Sequence, residues 1–393
     1  MKKIIRLLSA VSMIAGTSIG AAMVAMPIAM AKLGTVATCV LLFMTWASML
    51  VASFFMLESN TYHDKHANLV TMSQKSLGQP GYWLCVTAYL LLLYCLNAAY
   101  LAEFSSGLMG VFSTHDLPSV LFLAAGLAFV FFLSPSKWSG QISQLMLWSL
   151  CLIYVVIVGL LAGTANTSNV HPSDWSEAAG AFPICILAFG YQIIIPSLRR
   201  FLDDDITLLR RAIYVGSFIP LIVYLAWMLL VMFNMPYAGE GSLQSIANNI
   251  SLRDDLPGLL AGYTGIGLLE PAFNWFVIFA VSTSLFGASV SLFDFVKDWL
   301  KHFDMTKSLI ALIAFLPPAV CVLFFPKLFM IALRPAGLLV GVLLMLLPVA
   351  NCVAARIKKM QGLYQVPLII PAALFVSLTA FFMIMWDVGH LFS

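Results

Sequence analysis

Two short polar interruptions break apolar stretches of the chain, and both contain glycine. The first reads Gly16-Thr17-Ser18-Ile19-Gly20 and precedes Pro27, and the second reads Phe189-Gly190-Tyr191-Gln192 and precedes Pro196. In a helix interior glycine costs about 1 kcal/mol and proline about 3 kcal/mol, so the helical hydrogen-bond ladder can open at both places. Taken singly, each motif is explained equally well as a packing contact or a kink, because both residue types are common in membrane helices.

An opened helix offers main-chain groups that can bind a small charged molecule. The half-helix that restarts exposes N–H groups and a positive dipole end, which suit a carboxylate. The half-helix that stops exposes carbonyls, which suit an ammonium group or a bound cation. A zwitterionic amino acid matches both ends at once, and Gly16 and Gly20 would allow it to approach the main chain closely. All residues of the two motifs are therefore predicted to contact substrate.

The composition indicates which elements carry these motifs. Of 393 residues, 62% are hydrophobic and only 9% are Asp, Glu, Lys or Arg, whereas an ordinary soluble protein has about 25% charged residues. A soluble enzyme, a disordered scaffold and a disulfide-rich secreted domain are therefore excluded.

Apolar runs of about 18 residues or more, which are long enough to cross a bilayer core, recur along the chain. We count eleven: 8–32, 35–57, 82–111, 118–134, 141–163, 179–198, 211–233, 271–296, 308–325, 329–351 and 366–388. We expect one all-α polytopic membrane domain over residues 1–393.

The basic residues predict how these helices are oriented. With the N-terminus inside, sixteen of the twenty lysines and arginines fall on the cytoplasmic side. Lys32, Arg253, Lys327 and Arg334 fall on or toward the outer side. Such an excess is the positive-inside pattern of membrane proteins, so we expect a cytoplasmic N-terminus and a periplasmic C-terminus in a lipid bilayer. The net charge of +3 is a topological signal and gives no reason to expect a nucleic-acid partner.

The two interruptions lie in the first and sixth apolar runs, five runs apart. Since five is odd, a repeat of five helices would place its two copies with opposite topology. Paired interruptions in two inverted halves point to the binding site of a secondary transporter that works by alternating access. We therefore expect a first repeat over residues 8–163, a second over residues 179–351, and an additional helix at 366–388. The two halves show no convincing residue-by-residue similarity.

The first-helix block resembles the signature of a known transporter family. Residues Gly16-Thr17-Ser18-Ile19-Gly20-Ala21-Ala22-Met23-Val24-Ala25-Met26-Pro27 are similar to the first helix of the hydroxy/aromatic amino acid permeases, in the amino acid–polyamine–organocation superfamily. The resemblance covers nearly the whole chain and continues in Ala98-Ala99-Tyr100, Phe189-Gly190 with Pro196-Ser197, Thr283-Ser284 with Leu292-Phe293-Asp294, and Phe315-Leu316-Pro317-Pro318 with Phe325-Pro326. It implies a bacterial inner-membrane importer of an aromatic amino acid, with tyrosine favoured. It also implies proton coupling and the five-plus-five inverted fold with broken helices one and six.

One departure from that family bears on the coupling ion. Where the family usually reads Phe-Gly-Phe-His-Gly, this chain reads Phe189-Gly190-Tyr191-Gln192-Ile193, so a neutral amide replaces a ring that could hold a proton. The resemblance still favours the proton, and sodium coupling and a broader neutral amino acid specificity stay open. An aromatic substrate ring would stack against Phe189, while Tyr191 or Gln192 would offer it a hydrogen bond.

Polar residues of the third run form one further candidate face. Helical spacing places Asn97, Tyr100 and Glu103 within about a third of the helix circumference, where Asn97 and Tyr100 could contact substrate. Glu103 is an ionisable group inside the membrane and hence a candidate for ion coupling. The alternative is that Glu103 forms a structural pair, with Arg334 as one possible partner, or lies near the outer interface.

The eighth run contributes Thr283, Ser284 and Asp294 as tentative ion-coupling residues. The hydroxyls of Thr283 and Ser284 could complete an oxygen cage for a small cation beside the first interruption. Bonding of these hydroxyls to their own helix is an equally good alternative. Asp294 precedes Lys297 by one turn near the cytoplasmic end, which favours a local ion pair or gate.

Other classes of function fit the sequence less well. A channel usually selects with rings of carbonyls or charges, and an intramembrane enzyme needs a nucleophile–base pair or a metal cluster. The seven cysteines lie in or beside apolar runs, and the six histidines fall in loops or the tail, so we expect no enzyme activity, cofactor or metal site. A non-transporting amino acid receptor is a further alternative, and the pattern gives no indication of an oligomeric state.

Overall fold

The computed structural model describes residues 2–112, 136–249, 256–300, 305–325 and 328–391, and within these ranges the chain forms helices and no strand. The first half contains α1 Lys2–Ser18, α2 Ala22–Ala29, α3 Thr35–Thr61, α4 Leu69–Leu77, α5 Gln79–Phe112, α6 Ser136–Thr164, α7 Ala178–Ala188 and α8 Ile195–Phe201. The second half contains α9 Ile206–Asn234, α10 Leu243–Asn248, α11 Leu256–Thr264, α12 Leu269–Trp299, α13 Lys307–Phe324, α14 Leu328–Val340, α15 Leu347–Ile357 and α16 Ile369–Leu391. A 3₁₀ turn at Tyr191–Ile194 precedes α8, and a π-helical turn at Gly341–Leu346 joins α14 to α15.

Most of this helical structure has the length and composition of membrane helices. Among the described residues, eight helical segments are long and apolar enough to cross a bilayer, and the bent pair α1–α2 makes a ninth. The apolar part of α16, Ile369–Met385, is shorter. These helices confirm an all-helical, multi-pass membrane protein. The predicted run 118–134 lies outside the described residues, so the count of eleven and the two repeats stay predictions.

Both glycine motifs coincide with the ends of helices. α1 ends at Ser18 and α2 begins at Ala22 with a bend of 48° between them, which leaves Ile19–Ala21 as the first break. α7 ends at Ala188, and Phe189–Gly190 form the second break before the 3₁₀ turn. The main chain therefore opens within each motif, as the glycines predict.

Loops that the basic residues assign to the cytoplasm lie together at one end of the helices. Lys3 of α1 pairs with Asp205 at 3.2 Å, and Arg6 pairs with Asp203 at 2.7 Å. Asp205 caps α9 by accepting a hydrogen bond from the Leu208 N–H, which together with the Lys3 ammonium lowers the pKa of Asp205. The start of α1 is therefore tied to the loop between α8 and α9.

A buried carboxylate joins the end of α3 to α15. Glu58 is fully buried and accepts hydrogen bonds from Arg356 Nε at 2.6 Å and from an Arg356 Nη nitrogen at 2.8 Å. It also accepts from the Tyr62 hydroxyl at 2.7 Å and from the Val366 amide at 2.6 Å. Hydrogen bonds to a charged group are stronger than those between neutral groups, so this carboxylate holds α3, α15 and the segment before α16 together.

Arg199 of α8 makes a second link to the end of α3. Its guanidinium donates to the Asn60 carbonyl at 2.6 Å and to the His63 carbonyl at 3.1 Å. Arg199 Nε also pairs with Asp204 at 2.5 Å. Burial lowers the pKa of His63, and the charges of Lys75 and Arg199 lower it further. The ends of α3, α8 and α15 therefore meet where many of the basic residues lie.

Contacts at the opposite end join the loop after α2 to the loops around α7 and α9. Lys32 pairs with Glu177 at 3.5 Å. The His171 amide donates to the Thr35 hydroxyl at 3.0 Å, and the His171 ring contacts the Met235 carbonyl at 2.9 Å. Lys32, which sequence analysis placed on the outer side, therefore lies at the other end of the first broken helix from Lys3 and Arg6.

Two glycines bring the interrupted helices close to their neighbours. A Cβ atom at Gly216 of α9 would lie 2.8 Å from Ile14 Cβ of α1. A Cβ atom at Gly337 of α14 would overlap the Pro183 carbonyl of α7. Because small residues let membrane helices approach closely, α9 packs against α1 and α14 against α7.

We expect Glu58→Ala to destabilise the protein strongly, because Arg356 would lose its partner. Removing one member of a buried ion pair typically costs about 3–5 kcal/mol, whereas an exposed pair contributes about 0–1 kcal/mol. The control is Lys3→Ala, since the Lys3 side chain is 83% exposed in its pair with Asp205. Thermal unfolding of the purified protein in detergent measures both losses. A loss for Glu58→Ala no larger than for Lys3→Ala would contradict the assigned role.

Candidate substrate site

Tyr224 of α9 connects the two breaks. Its hydroxyl lies 2.5 Å from the Ser18 carbonyl oxygen at the end of α1, and 3.2 Å from the Ala188 carbonyl oxygen at the end of α7. The Tyr224 side chain is fully buried, and its ring packs edge-on against Phe189 with 5.3 Å between the ring centroids. Since one hydroxyl reaches the C-terminal carbonyls of both helices, the two breaks lie next to each other.

Trp227, almost one turn further along α9, holds the other half of the first broken helix. Its indole N–H donates to the Met23 carbonyl of α2 at 2.9 Å, and its side chain is fully buried. Phe273 and Phe276 of α12 pack against the indole, with centroid distances of 5.5 and 5.4 Å. α9 therefore bonds α1 on one side of the break and α2 on the other, which stabilises the bend between them.

Ser284 of α12 also contacts the first break. Its hydroxyl oxygen accepts a hydrogen bond from the Ala21 amide at 3.1 Å, and the hydroxyl donates to the Ala280 carbonyl at 3.1 Å. Gly20 permits this approach, because a Cβ atom there would lie 2.5 Å from the Ser284 oxygen.

The Gly20 amide is a candidate contact for a carboxylate. Gly20 is buried, and within the described residues we find no hydrogen-bond partner for its N–H. An unpaired main-chain N–H away from water costs about as much free energy as a lost hydrogen bond. At the start of α2 this N–H also lies at the positive end of a helix dipole, which favours an anionic partner.

The second break carries polar side chains that are fully buried. Gln192 donates through its amide nitrogen to the Met49 carbonyl of α3 at 2.9 Å. The Gln192 side-chain oxygen has no hydrogen-bond partner in the described part of the chain, whereas the Tyr191 hydroxyl lies beside the Ser53 and Ser217 hydroxyls. Buried polar atoms without a partner are uncommon in native proteins, and the Gln192 oxygen lies in the motif that the sequence predicts to contact substrate.

The first half of the glycine motif remains helical. Gly16, Thr17 and Ser18 form the last turn of α1. The Thr17 side chain is exposed, and its hydroxyl donates to the Met13 carbonyl at 2.7 Å. Within this motif, the Ser18 carbonyl, Ile19 and the Gly20 main chain are therefore placed at the break.

Asn97 and Tyr100 of α5 face different neighbours. The Asn97 amide donates to the Leu93 carbonyl at 2.8 Å and accepts from the Ser289 hydroxyl at 2.7 Å, so it ties α5 to α12. Tyr100 is buried in the core. The fold therefore gives Asn97 a contact between helices and buries Tyr100.

The residues predicted for ion coupling are spread along α5 and α12. The Thr283 hydroxyl donates to the Ala280 carbonyl of its own helix at 3.0 Å. Asp294 is exposed near the end of α12, and Glu103 is partly buried on α5. Ser284 hydrogen-bonds the first break through the Ala21 amide.

Sequence reasoning did not identify Tyr224 and Trp227. The sequence nevertheless contains a signal for them. Two aromatic residues with polar tips lie three positions apart in an otherwise apolar run, and this spacing places them on one face of a helix. Buried tyrosine and tryptophan side chains usually find a hydrogen-bond partner. An inventory of such residues by helical face would have included both.

Paired broken helices that meet inside a multi-pass helical bundle are the architecture of a membrane transporter. The chain belongs to the tryptophan/tyrosine permease family, whose model matches residues 3–387.

The tyrosine-specific transport system 2 of Haemophilus influenzae is 28% identical over 366 residues, which cover 90% of this chain and 89% of that protein. The tryptophan-specific transport protein of the same organism is 28% identical over 383 residues, with 92% and 90% covered. The low affinity tryptophan permease of Escherichia coli K12 is 27% identical over 377 residues, with 91% and 89% covered. The family resemblance predicted from the sequence is confirmed.

We expect Gly20→Ala to lower uptake of a labelled aromatic amino acid by about tenfold or more. The new Cβ atom would lie 2.5 Å from the Ser284 oxygen, so the hydroxyl must rotate away from the Ala21 amide and a buried donor loses its partner. Gly20→Leu should abolish uptake. The control is Gly180→Ala on α7, where a Cβ atom meets no atom within 4 Å. Equal uptake by Gly20→Ala and Gly180→Ala, at equal amounts of folded protein, would contradict the site.

Proposed function

We propose that this protein imports an aromatic amino acid, with tyrosine favoured, across the bacterial inner membrane by proton symport through alternating access. The observation that carries the proposal is the convergence of both broken helices on the Tyr224 hydroxyl, which contacts the Ser18 and Ala188 carbonyls. The ends of α1 and α7 that meet there carry negative partial charge, and the start of α2 beside them carries positive partial charge. Membership in a family of aromatic amino acid permeases supports the choice of substrate class.

The two charged groups of the substrate would bind to the main chain of the breaks. The carboxylate would accept hydrogen bonds at the first break, where the buried Gly20 amide lacks a partner among the described residues. The ammonium would donate to the carbonyls at the helix ends. The Ser18 and Ala188 carbonyl oxygens are close enough to each other to share one donor. This arrangement requires a free α-amino acid, because a peptide bond removes one of the two charges.

The substrate ring would lie at the second break. Phe189 offers an aromatic face there, and aromatic pairs prefer edge-on or offset contacts. The Gln192 amide nitrogen is already used by the Met49 carbonyl, so the Gln192 oxygen is the side-chain atom left to accept a hydrogen bond. A phenol O–H can donate to it, and so can an indole N–H. Phenylalanine carries no such donor.

Alternating access would use the two predicted repeats, residues 8–163 and 179–351. α1 and α7 would be corresponding elements, because each ends at a glycine-containing break. Since both ends are joined through Tyr224, a rocking motion would carry the two half-helices together. The N-terminus would be cytoplasmic and the C-terminus periplasmic, in agreement with the basic residues gathered at one end.

Proton coupling is proposed from the family resemblance, and sodium coupling is the alternative from the residues. Gln192 cannot carry a proton at the second break. The proposed proton carrier is therefore Glu103, which follows Tyr100 on α5. The Thr283 and Ser284 hydroxyls provide oxygens beside the first break for a sodium ion. Both donate to the Ala280 carbonyl and keep lone pairs for a cation.

The test is uptake by proteoliposomes of labelled tyrosine, tryptophan, phenylalanine and leucine under an imposed proton gradient or an imposed sodium gradient. We expect accumulation of tyrosine driven by the proton gradient, with saturation kinetics and with less uptake of leucine. Accumulation driven by the sodium gradient alone would show that sodium is the coupling ion in place of the proton. No saturable uptake of any aromatic amino acid would overturn the proposed function, and conductance far above carrier rates would indicate a channel.

We expect Gln192→Met to reduce the preference for tyrosine over phenylalanine by about tenfold. A site built to hydrogen-bond a substrate hydroxyl discriminates strongly against the analogue that lacks it, and methionine removes the acceptor while keeping a similar volume. The ratio of kcat/KM for the two substrates measures the preference. Gln74→Met is the control, because Gln74 is exposed on α4. An unchanged ratio in Gln192→Met would show that the substrate ring does not contact this side chain.

A further inference from the structure

One side-chain hydroxyl bonds main-chain carbonyls that the proposed function assigns to the substrate, and a second bonds the amide next to the one that it assigns to the carboxylate. The Tyr224 hydroxyl lies against the Ser18 and Ala188 carbonyls, where an ammonium would bind. The Ser284 oxygen accepts from the Ala21 amide, next to where a carboxylate would bind. The chemistry matches at both places, since a tyrosine O–H is a donor like an ammonium and a serine oxygen is an acceptor like a carboxylate.

The Ser284 hydroxyl is oriented for the acceptor role. Its own proton is directed to the Ala280 carbonyl at 3.1 Å, so its lone pairs remain for the Ala21 amide. Tyr224 is held for the donor role, because its ring is fully buried against Phe189. Both side chains come from helices outside the broken pair, α9 and α12.

A carrier that performs net uptake must reorient once with substrate and once without it. In the second step the opened main chain would lie in a membrane interior with no substrate to bond it, and each unsatisfied group there is costly. Hydroxyls that bond the Ser18 and Ala188 carbonyls and the Ala21 amide lower this cost in the unloaded carrier, and the Gly20 amide is left for the substrate. A tyrosine has one proton to share between two carbonyls, whereas an ammonium has three. The substrate ammonium therefore still binds these carbonyls in preference to the Tyr224 hydroxyl.

We propose that Tyr224 and Ser284 act as internal substitutes for the substrate's ammonium and carboxylate, and so permit the unloaded carrier to return. They are positioning residues for the main chain of the two breaks. This inference rests on the proposed function and adds to it one property, efficient net uptake as opposed to obligatory exchange.

Net uptake and exchange separate this role from a general structural one. In exchange, labelled tyrosine enters liposomes loaded with unlabelled tyrosine, and the carrier never reorients unloaded. In net uptake the liposomes contain no amino acid, so every cycle includes the unloaded return. We expect Tyr224→Phe to lower the ratio of net uptake to exchange by about tenfold, which corresponds to about 1.4 kcal/mol. Ser284→Ala should lower the same ratio, and Ser284→Thr, which keeps a hydroxyl, should restore it.

Trp227→Phe is the matched control. Trp227 also lies on α9 and also donates to the first broken helix, at the Met23 carbonyl within α2. Its loss should weaken the bend and lower net uptake and exchange by the same factor. Size-exclusion chromatography in detergent confirms that each variant is folded, and Ser284→Ala carries the test if Tyr224→Phe does not fold.

The outcomes distinguish this inference from the proposed function. A ratio that stays within about twofold of the wild-type value in both Tyr224→Phe and Ser284→Ala would overturn the inference. An equal decrease of the ratio in Trp227→Phe would also overturn the inference, because any damage to the break would then be enough to lower the ratio of net uptake to exchange. If the wild-type protein performs neither net uptake nor exchange of an aromatic amino acid, the proposed function fails instead.

Discussion

An opened main chain inside a membrane protein must obtain its hydrogen bonds from the protein, because lipid supplies none. The arrangement of α9 and α12 around the first break follows from this constraint. Tyr224 and Trp227 bond the carbonyls of Ser18 and Met23 on either side of the break, and Ser284 accepts from the Ala21 amide. Without them the 48° bend between α1 and α2 would leave buried polar groups unpaired.

The same constraint explains where small residues are needed. A side chain of any size at Gly20 would displace the Ser284 hydroxyl, and one at Gly216 would press against Ile14 and move α9 away from α1. The glycines near the first break therefore have two separate functions. Gly20 admits a hydrogen-bond partner to the open main chain, and Gly216 brings the helix that carries Tyr224 and Trp227 close enough to reach it.

The sequence was sufficient for the features that depend on local chemistry. The motifs that contain Gly20 and Gly190 predicted the interruptions because helix propensity is a local property, and Gly16 lies in the last helical turn before the first one. The site was predictable only where it coincides with those motifs. Tyr224 was not identified, because its role depends on two carbonyls that lie 206 and 36 residues away in the chain. Asn97 looked suitable for substrate, and its partner Ser289 lies 192 residues away on α12. Contacts of this kind follow from the packing of helices, which spacing within one helix cannot reveal.

Gln192 determines which chemistry is available at the second break. A histidine there, as in the resembled family, could both hold a proton and donate or accept a hydrogen bond. Glutamine keeps the hydrogen bonds and loses the titration, and in this structure its nitrogen is fixed by the Met49 carbonyl of α3. The remaining oxygen is an acceptor at every pH, so it can recognise a donor on the substrate ring but cannot sense a proton gradient. Gln192 can therefore keep a role in hydrogen bonding, but it cannot itself carry the coupling proton of the proposed mechanism.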